Sequence, residues 1–397
     1  MINPESIRSA QFNDSYYPIV DGVVQVVHNY AEIMNKTAYT CVVAPAPLKG
    51  EFDDSSLSYE VFRTNSVKIP IAEYGIPAPK LGFKARSFVK SRNFDILHAH
   101  SPFFEGAFAS DMAKKLNIPC VATFHSKYYD DVVNIFGSKT IAKIVTSRIV
   151  SVYNSVYSVW SVSQGAADTL RYYGYKGDIT IMKNGTTFVE PENPERVRER
   201  ARILYKIPDD KHILLFVGHQ IWHKNLKLIL DTFRLLCDNS DDYRMVIVGD
   251  GYDEKEIKDY AKSLNFSREA VNFLGRINDR ELLKGVYLAS DLLFFPSVYD
   301  TSGLVVREAA SLGVPSLLTD GSNASESIEK NVSGFTAEEN KIAMFSEILR
   351  IFNTEGLRER VIENAKRDVA TTWSERVPKV REKYAEIIEK YKFEHNI

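Results

Sequence analysis

Short apolar runs rich in β-branched residues alternate along the chain with longer stretches in which apolar residues recur at helical spacing. This rhythm is typical of parallel α/β architecture. It predicts six strands in the first half, at 7–12, 40–44, 96–99, 119–123, 156–162 and 179–182. The pattern then restarts and predicts five more, at 212–217, 244–248, 271–274, 292–295 and 315–318. Many of them end in Gly, His, Asp or Ser, so we expect functional loops at the carboxyl ends of the strands.

Between the two halves, residues 186–210 ("TTFVEPENPERVRERARILYKIPDD") interrupt the apolar rhythm with prolines and a dense run of charges. This composition predicts the interdomain connection. The 397 residues suffice for two domains of roughly 150–200 residues each. We therefore expect Rossmann-like domains over residues 1–187 and 188–375, with a ligand site in the cleft between their sheet edges. The last segment predicts an amphipathic helix that is broken near Pro378.

Composition narrows the class of protein. A formal net charge of −2 gives no global attraction to nucleic acid. No apolar run reaches the roughly 18–20 residues that span a bilayer, and the N-terminus lacks the pattern of a signal peptide. The scattered Cys41, Cys120 and Cys237 favour a reducing cytoplasm over a disulfide framework or a zinc site. The sequence contains no G-x-G-x-x-G, no P-loop and no Asp-x-Asp, which disfavours a dinucleotide oxidoreductase, an ATPase and a metal-held diphosphate.

The segment "YDTSGLVVREAASLGVP" places two acids around a helix start. A helix beginning near Gly303 directs unpaired N–H groups and its positive dipole end outward, which suits a phosphate. Asp300 precedes that terminus, and Glu308 lies inside the helix, where a buried carboxylate needs a partner such as vicinal sugar hydroxyls. An alternative without a ligand stays open, in which Asp300 interacts favourably with the helix dipole and Glu308 is simply a half-buried residue of the helix.

Three other segments contain candidate residues. Lys224 stands between a strand and a helix and could neutralise a diphosphate. His219 and His223 are four residues apart, but no cysteine or third histidine lies near them in the sequence, which disfavours a metal site.

His98 and His100 share one face of a strand end, and His125 ends the next strand. Each of these three histidines could bind a sugar or phosphate, or be purely structural. Finally, Gly22 opens a helix whose N-terminus offers N–H donors to an anion.

Together these pieces resemble the retaining glycosyltransferases of family four, which have the GT-B fold. The most specific match is the family's E-x7-E segment, which stands here as "DTSGLVVREAASLGVPSL". Supporting matches along nearly the whole chain are "YYPIVDGV", "FVGHQIWHKN", "VIVGDG", "VNFLGRIN", "ASDLLFFPS" and "TTWSERV". The resemblance implies two Rossmann-like domains that face a central cleft, with residues 376–397 packing back on the first. It also implies retaining, metal-independent transfer of a hexose from a nucleotide diphosphate sugar, with no cofactor.

The resemblance assigns roles position by position. Glu308 is expected to accept the ribose hydroxyls, and Asp300 to hold hydroxyls of the transferred sugar. Lys224 is expected to bind the diphosphate, Gly22 to let the opposite loop close over it, and His125 to lie over the sugar and the departing phosphate. The remaining donor-binding residues are His219, Arg276 and Ile277 at the base and diphosphate, and Ser302, Gly303, Leu304 and Val305 at the helix N-terminus. Of these, His125, Asp300 and Lys224 are the expected catalytic residues.

Two departures from the family pattern bear on activity. The family's first Glu is Asp300 here, and the arginine of its Gly-Arg pair is His219, so a permanent cation is replaced by a titratable one. These departures leave open a nucleotide-sugar-binding subunit with weak catalysis, and a GT-B epimerase is a further alternative. Among the possible donors, we expect a UDP-glucose-type sugar first and GDP-mannose second.

The resemblance implies a lipid or a saccharide as the acceptor. The segment "HAHSPFFEGAFASDMAKKLNIPCVATFHSKYYDD" looks like the branch that glycosylates diacylglycerol or related glycolipids. Lys139, Lys143 and Arg148 lie among apolar residues downstream, which is the pattern of an interfacial helix or of an ordinary solvated face. We therefore expect a cytoplasmic protein, with peripheral contact to the inner face of the membrane left open.

Overall fold

The computed structural model describes residues 2–47, 52–67, 76–77, 83–267 and 269–397. The chain divides into two compact units. The first comprises Met1–Asn184 together with Trp373–Ile397, and the second comprises Gly185–Thr372. Both divisions fall three residues before the boundaries that the sequence suggests. Within the described ranges, no helix combines the length and the apolar character needed to cross a membrane.

The first unit is built on a seven-stranded sheet in which every neighbouring pair is parallel. Its strand order is β3-β2-β1-β6-β7-β8-β9. The strands are β1 Ser9–Phe12, β2 Thr40–Pro45, β3 Val61–Thr64, β6 Ile96–Ala99, β7 Cys120–Phe124, β8 Ser158–Ser161 and β9 Ile179–Ile181. An antiparallel pair, β4 Ser66–Val67 and β5 Ile76–Pro77, stands apart from this sheet. The central strands β1, β6 and β7 are buried along their whole length, as both faces of a parallel sheet are covered.

Seven α-helices belong to the described part of the first unit, together with two short 3₁₀ turns at Pro4–Ser6 and Asp54–Ser56. The helices are α1 Gly22–Met34, α2 Phe83–Ser91, α3 Phe104–Leu116, α4 Tyr128–Phe136, α5 Lys139–Tyr153, α6 Gln164–Tyr172 and α14 Trp373–His395. The last helix packs with α1, and one core cluster joins its buried face to Tyr30, Met34, Val121 and Trp160. The C-terminal helix is therefore part of the core of the first unit.

The second unit repeats the architecture with a six-stranded parallel sheet in the order β12-β11-β10-β13-β14-β15. Its strands are β10 His212–Val217, β11 Tyr243–Val248, β12 Val271–Gly275, β13 Leu292–Phe295, β14 Ser316–Thr319 and β15 Phe335–Ala337. Its helices are α7 Pro194–Tyr205, α8 Leu226–Asn239, α9 Glu254–Ser263, α10 Arg280–Leu288, α11 Leu304–Ser311, α12 Lys341–Asn353 and α13 Leu357–Asp368, with 3₁₀ turns at Trp222–Lys224 and Asn323–Ser327. One apolar cluster fills the space between this sheet and its helices. The expected fold class, two Rossmann-like domains with parallel sheets, is confirmed.

Two predictions from the sequence are wrong, and short strands were missed. Residues 186–210 are not a connection along their whole length, because 194–205 form α7, which packs on α10 so closely that a Cβ at Gly285 would lie 2.5 Å from the Val197 carbonyl oxygen. The C-terminal helix is not broken near Pro378, which lies inside the continuous α14. Strands β3 and β15 were not predicted, because Arg63 and Thr64 interrupt the first and the second has a single large apolar residue, Phe335, so neither shows a continuous or alternating apolar run.

Candidate active site

In the second unit the candidate residues follow the carboxyl ends of the strands, at one edge of the sheet. The loops after β10 and β11 meet backbone to backbone there. Gly249 has φ +124°, and a Cβ added to it would lie 2.0 Å from the carbonyl oxygen of Gly218. The Gln220 backbone N–H donates to the Asp250 carbonyl over 2.8 Å. This close approach fixes the loop that leads to Lys224.

Lys224 and Asp300, 76 residues apart in sequence, form an ion pair in which Nζ lies 2.8 Å from Oδ1. The Lys224 side chain is 11% exposed and the Asp300 side chain 21% exposed. The other oxygen of Asp300, Oδ2, accepts a hydrogen bond of 2.6 Å from the Ser297 hydroxyl. A partly buried, hydrogen-bonded pair of this kind holds both groups in one geometry. Two residues that the sequence suggests for adjacent parts of a donor are therefore in direct contact.

The N-terminus of α11 follows Asp300 closely. Its N-cap is Gly303, with φ +54°, and within the described ranges no side chain caps the first turn, which begins at the half-buried Leu304 and Val305. A Cβ at Gly303 would lie 3.0 Å from the Ala324 Cβ, so the glycine permits both the left-handed conformation and close packing. Buried Arg307 donates from its guanidinium to the Ser302 carbonyl over 2.9 Å, which fixes the loop before the helix. The terminus keeps the anion-binding character expected of an uncapped helix start.

Glu308 has a protein partner that the sequence did not indicate. The hydroxyl of buried Tyr287, on α10, donates to its Oε2 over 2.9 Å. Burial raises the pKa of the Glu308 carboxyl, while the charge of Arg280 and the Tyr287 hydroxyl act in the opposite direction. Arg280 also lies over the ring of Phe188, with the guanidinium carbon 4.7 Å from the ring centroid. The residue as a whole is half-buried, and its carboxyl is held by the Tyr287 hydroxyl.

The remaining candidates of this unit lie at the same sheet edge with fewer contacts. Arg276 and Ile277 directly follow β12; the first is exposed and the second half-buried. The His219 side chain is 59% exposed, with Nδ1 4.0 Å from an oxygen of Asp250. His223 is exposed and stacks near Tyr299, with ring centroids 6.0 Å apart. Within the ranges given above, no group of three or more His, Cys, Asp or Glu residues is arranged to hold a metal ion.

In the first unit the three histidines lie together, as their strand positions suggest. The rings of His98 and His100 stack with centroids 4.1 Å apart, and those of His100 and His125 with centroids 5.4 Å apart. Nδ1 of His100 is 3.1 Å from Nε2 of His125. Burial lowers the pKa of His125 to about 3, so at neutral pH this ring is an uncharged imidazole. It cannot offer a positive charge to a departing phosphate.

The N-terminus of α1 differs from the expectation placed on Gly22. Gly22 is the exposed first residue of the helix, but the preceding Asp21 is its N-cap and accepts from the Val24 N–H over 2.8 Å. The Asp21 carboxylate therefore already accepts from one of the backbone N–H groups that a bound anion would need. The start of α3 is likewise capped from another loop, because Asp14 accepts from the backbone N–H groups of Phe104 and Glu105.

Comparison with known proteins agrees with this architecture. Residues 20–187 match the model of Glycosyltransferase Family 4, and residues 197–368 match that of Glycosyl transferases group 1. An alpha-monoglucosyldiacylglycerol synthase from Streptococcus pneumoniae is 25% identical over 315 residues, which cover 78% of this chain and 70% of the relative. A GDP-mannose-dependent alpha-mannosyltransferase from Corynebacterium glutamicum is 26% identical over 337 residues, which cover 83% of this chain and 76% of the relative. The crystal structure of Anabaena HepE in complex with UDP-glucose aligns with a TM-score of 0.73 at 19% identity, over 96% of this chain and 99% of that one.

The chain therefore belongs to the family-four glycosyltransferases of the GT-B fold, and it is a glycosyltransferase. The resemblance to this family that the sequence indicates is confirmed, and so is its similarity to the branch that makes glycolipids.

Some residues of the site could not be identified from the sequence, because their importance comes from contacts between distant parts of the chain. In the sequence, Tyr287 is one more apolar position of an amphipathic helix, and Gly249 belongs to an ordinary strand end. The only sequence signal for Gly249 is the "VIVGDG" segment, in which a glycine follows an apolar strand directly. Gln11 lies inside β1 and carries no motif, yet it is fully buried beside His100.

Proposed function

We propose that this protein transfers a hexose from a nucleotide diphosphate sugar to a lipid hydroxyl, with retention of the anomeric configuration and without a metal ion. The observation that supports it best is the Lys224–Asp300 ion pair beside the uncapped N-terminus of α11. One cation, one helix dipole and one carboxylate are what a donor with a charged diphosphate and a neutral sugar requires.

In this proposal Lys224 and the first N–H groups of α11 neutralise the diphosphate as it departs. Charge develops on the leaving group in the transition state, so preorganised donors stabilise that state more than the ground state. Asp300 releases part of its interaction with Lys224 when sugar hydroxyls arrive as donors. Glu308, held by Tyr287, accepts the ribose hydroxyls. Positive charge from the protein takes the place that a divalent metal has in other nucleotide-sugar enzymes.

For the donor, we propose UDP-glucose first and GDP-mannose second. The relatives named above include a glucosyl-lipid synthase and a GDP-mannose-dependent enzyme, and the aligned Anabaena structure is described as a complex with UDP-glucose. The shorter Asp300 in place of a glutamate leaves the choice between the two sugars to experiment.

The decisive experiment measures donor binding and turnover with EDTA present. Purified protein is titrated calorimetrically with UDP-glucose, GDP-mannose and ADP-glucose, and release of the nucleoside diphosphate is followed with diacylglycerol in mixed micelles. Lys224→Ala should lower kcat/KM by about 100-fold, since a charge-assisted hydrogen bond of about 1.5–3 kcal/mol is lost. Lys227→Ala is the matched control, because this lysine pairs with Asp231 on the exposed side of α8 and should leave turnover within twofold of the parent.

The outcomes separate the alternatives. Binding of one donor without turnover on any acceptor would support a nucleotide-sugar-binding subunit. Conversion of the donor to another nucleotide sugar would support an epimerase. An anomeric proton coupling in the glycolipid product that shows inversion would refute retention.

For the acceptor side, we propose that α4 and α5 contact an anionic membrane surface. Phe136 at the end of α4 and Ile141 and Ile144 on α5 are exposed, at 58%, 40% and 66%. Lys139, Lys143 and Arg148 are also exposed on α5; at about 100° per residue Arg148 lies beside the two isoleucines and the lysines lie about 100–160° away from them. The exposed surface of this helix therefore combines apolar anchors with positive charge. This combination is that of an interfacial helix, whose affinity rises with anionic lipid content.

Sedimentation with vesicles tests this surface. Binding to vesicles that contain phosphatidylglycerol should fall severalfold in Ile144→Glu. Ile203→Glu is the matched control, because Ile203 is equally apolar and 72% exposed but lies on α7 of the other unit. Equal loss in both variants, or binding that does not depend on the anionic lipid, would refute the assignment of this face.

A further inference from the structure

The stretch of chain with which the second unit begins is hydrogen-bonded to the stretch with which it ends. The unit spans Gly185–Thr372. Near its start, the backbone N–H of Thr186 donates to the carbonyl of Thr371 over 2.9 Å. The Thr186 hydroxyl oxygen accepts from the backbone N–H of Phe188 over 3.0 Å. We call residues 186–188 the crossing segment; the first and last of its three N–H groups are hydrogen-bonded.

The ring of Phe188 attaches the crossing segment to α10. Phe188 is fully buried, and the ring of Tyr287 meets it at 90° with the centroids 5.7 Å apart. The guanidinium carbon of Arg280 lies over the Phe188 ring, 4.7 Å from its centroid. The same guanidinium donates a hydrogen bond to the Thr187 hydroxyl. Edge-to-face aromatic pairs and cations over ring faces are directional contacts, so together they restrict the segment and the helix to one arrangement.

The tyrosine that packs on Phe188 is the one that holds Glu308. The Tyr287 hydroxyl donates to Oε2 of Glu308 over 2.9 Å. Tyr287 is itself fully buried, and in a close-packed interior the neighbours of a ring decide where its hydroxyl lies. A continuous series of contacts therefore runs from the crossing segment, through two aromatic rings, to the carboxyl of Glu308.

We propose that Phe188 is a positioning residue for Glu308 and acts through Tyr287, so that the crossing segment sets the affinity for the ribose of the donor. This inference rests on the function proposed above, in which Glu308 accepts the ribose hydroxyls. Hydrogen bonds weaken steeply with misalignment, so a small displacement of the carboxyl lowers donor affinity. The groups at the departing diphosphate are untouched, so kcat stays the same. Because coupling between two sites is reciprocal, bound donor in turn stabilises the crossing segment.

Calorimetric titration of the full-length protein with UDP-glucose, GDP-mannose and ADP-glucose tests the positioning role. Phe188→Leu keeps the position apolar but removes the ring, and it should raise the Kd of the bound donor about threefold with kcat within about twofold of the parent. Phe188→Met serves the same purpose if the first variant does not fold. Phe233→Leu is the matched control, because Phe233 on α8 is equally buried in the same core but packs against Phe266. An equal rise in both variants would overturn the inference, because any loss of packing in the unit would then weaken binding.

A double-mutant cycle tests whether Phe188 acts through Tyr287. Tyr287→Phe removes the hydroxyl that holds Glu308 and should weaken donor binding about fivefold. If the effect of Phe188 passes through that hydroxyl, adding Phe188→Leu to Tyr287→Phe should produce no further loss. Independent effects would instead multiply to about 15-fold, and that result would refute the role of Tyr287 as the intermediary.

The reciprocal effect is measured by amide hydrogen exchange in a peptide that covers the crossing segment. In the parent, saturating donor should slow exchange at the N–H groups of Thr186 and Phe188 about threefold, since both must break a hydrogen bond to exchange. In Tyr287→Phe at the same saturation, exchange should be the same with and without donor. Equal protection in the parent and in Tyr287→Phe would overturn the coupling, because protection would then reach the segment by another route.

The same titrations separate this inference from the proposed function. If the parent binds a donor and Phe188→Leu binds it as tightly, the positioning role is refuted and the proposed function stands. If the parent binds none of the three nucleotide sugars, the proposed function itself fails, and the positioning role fails with it.

Discussion

Glu105 offers a test of the fold that does not depend on catalysis. Its carboxyl is fully buried in the first unit, where Oε1 accepts from the Thr64 hydroxyl and Oε2 has no hydrogen-bond partner among the residues that the structure describes. Burial raises its pKa to about 8; the Thr64 hydroxyl acts in the opposite direction, and the nearby charge of Asp14 raises the pKa further. The folded protein therefore holds this carboxyl neutral at pH 7, and ionising it costs free energy.

The sign of the effect on stability follows from proton binding. Between the ordinary glutamate pKa of 4.5 and the folded-state pKa of about 8, the unfolded chain has lost this proton and the folded chain keeps it. The free energy of unfolding therefore falls as pH rises, by about 1.4 kcal/mol for each pH unit of that window. From pH 5 to pH 8 the loss amounts to about 3.5 kcal/mol. Glu105→Gln keeps the shape and removes the ionisation, so it should gain that amount over the parent across the same range.

Urea unfolding followed by tryptophan fluorescence measures the difference. Trp160 and Trp373 belong to the first unit and Trp222 to the second, so a Trp222→Phe background makes the signal specific for the first unit. Glu382→Gln, at an exposed position of α14, is the control and should keep the pH dependence of the parent. A constant difference between Glu105→Gln and the parent from pH 5 to pH 8 would refute the reasoning, because it would mean that the buried carboxyl titrates alike in both states.

Three further predictions concern the second unit. Gly249→Ala should destabilise it by about 3 kcal/mol or more, since Cβ would strike the Gly218 carbonyl, whereas Gly321→Ala, at φ +71° with nothing within 4 Å, should cost about 1 kcal/mol in urea unfolding. Tyr287→Phe should raise the donor KM about fivefold with little change in kcat, because Glu308 loses the hydrogen bond from the Tyr287 hydroxyl that holds its carboxyl; an unchanged KM would contradict its role. His219→Arg should tighten calorimetric binding of UDP-glucose severalfold at low salt, through a permanently charged fork, and weaker binding would argue against a diphosphate there.

The sequence by itself determined the repeating strands and helices, the two-domain organisation and the positions of the helix starts at Gly22 and Gly303. These features depend on local spacing: apolar periodicity, a glycine that adopts a left-handed conformation, and polar residues directly after buried strands. It also determined which side chains follow the carboxyl ends of the strands, because parallel topology brings those ends to one edge. The edge strands β3 and β15 were not predicted, because neither shows a continuous or alternating run of large apolar residues.

Only the tertiary structure decided which of these side chains meet. Lys224 and Asp300 are 76 residues apart, His100 and Gln11 are 89 apart, and both contacts depend on the order of strands in the sheet, which spacing along the chain does not specify. Burial also changed the chemistry of groups that the sequence could name but not characterise. The imidazole of His125 is neutral and the carboxyl of Glu105 keeps its proton at pH 7, because each is removed from water by residues distant in sequence.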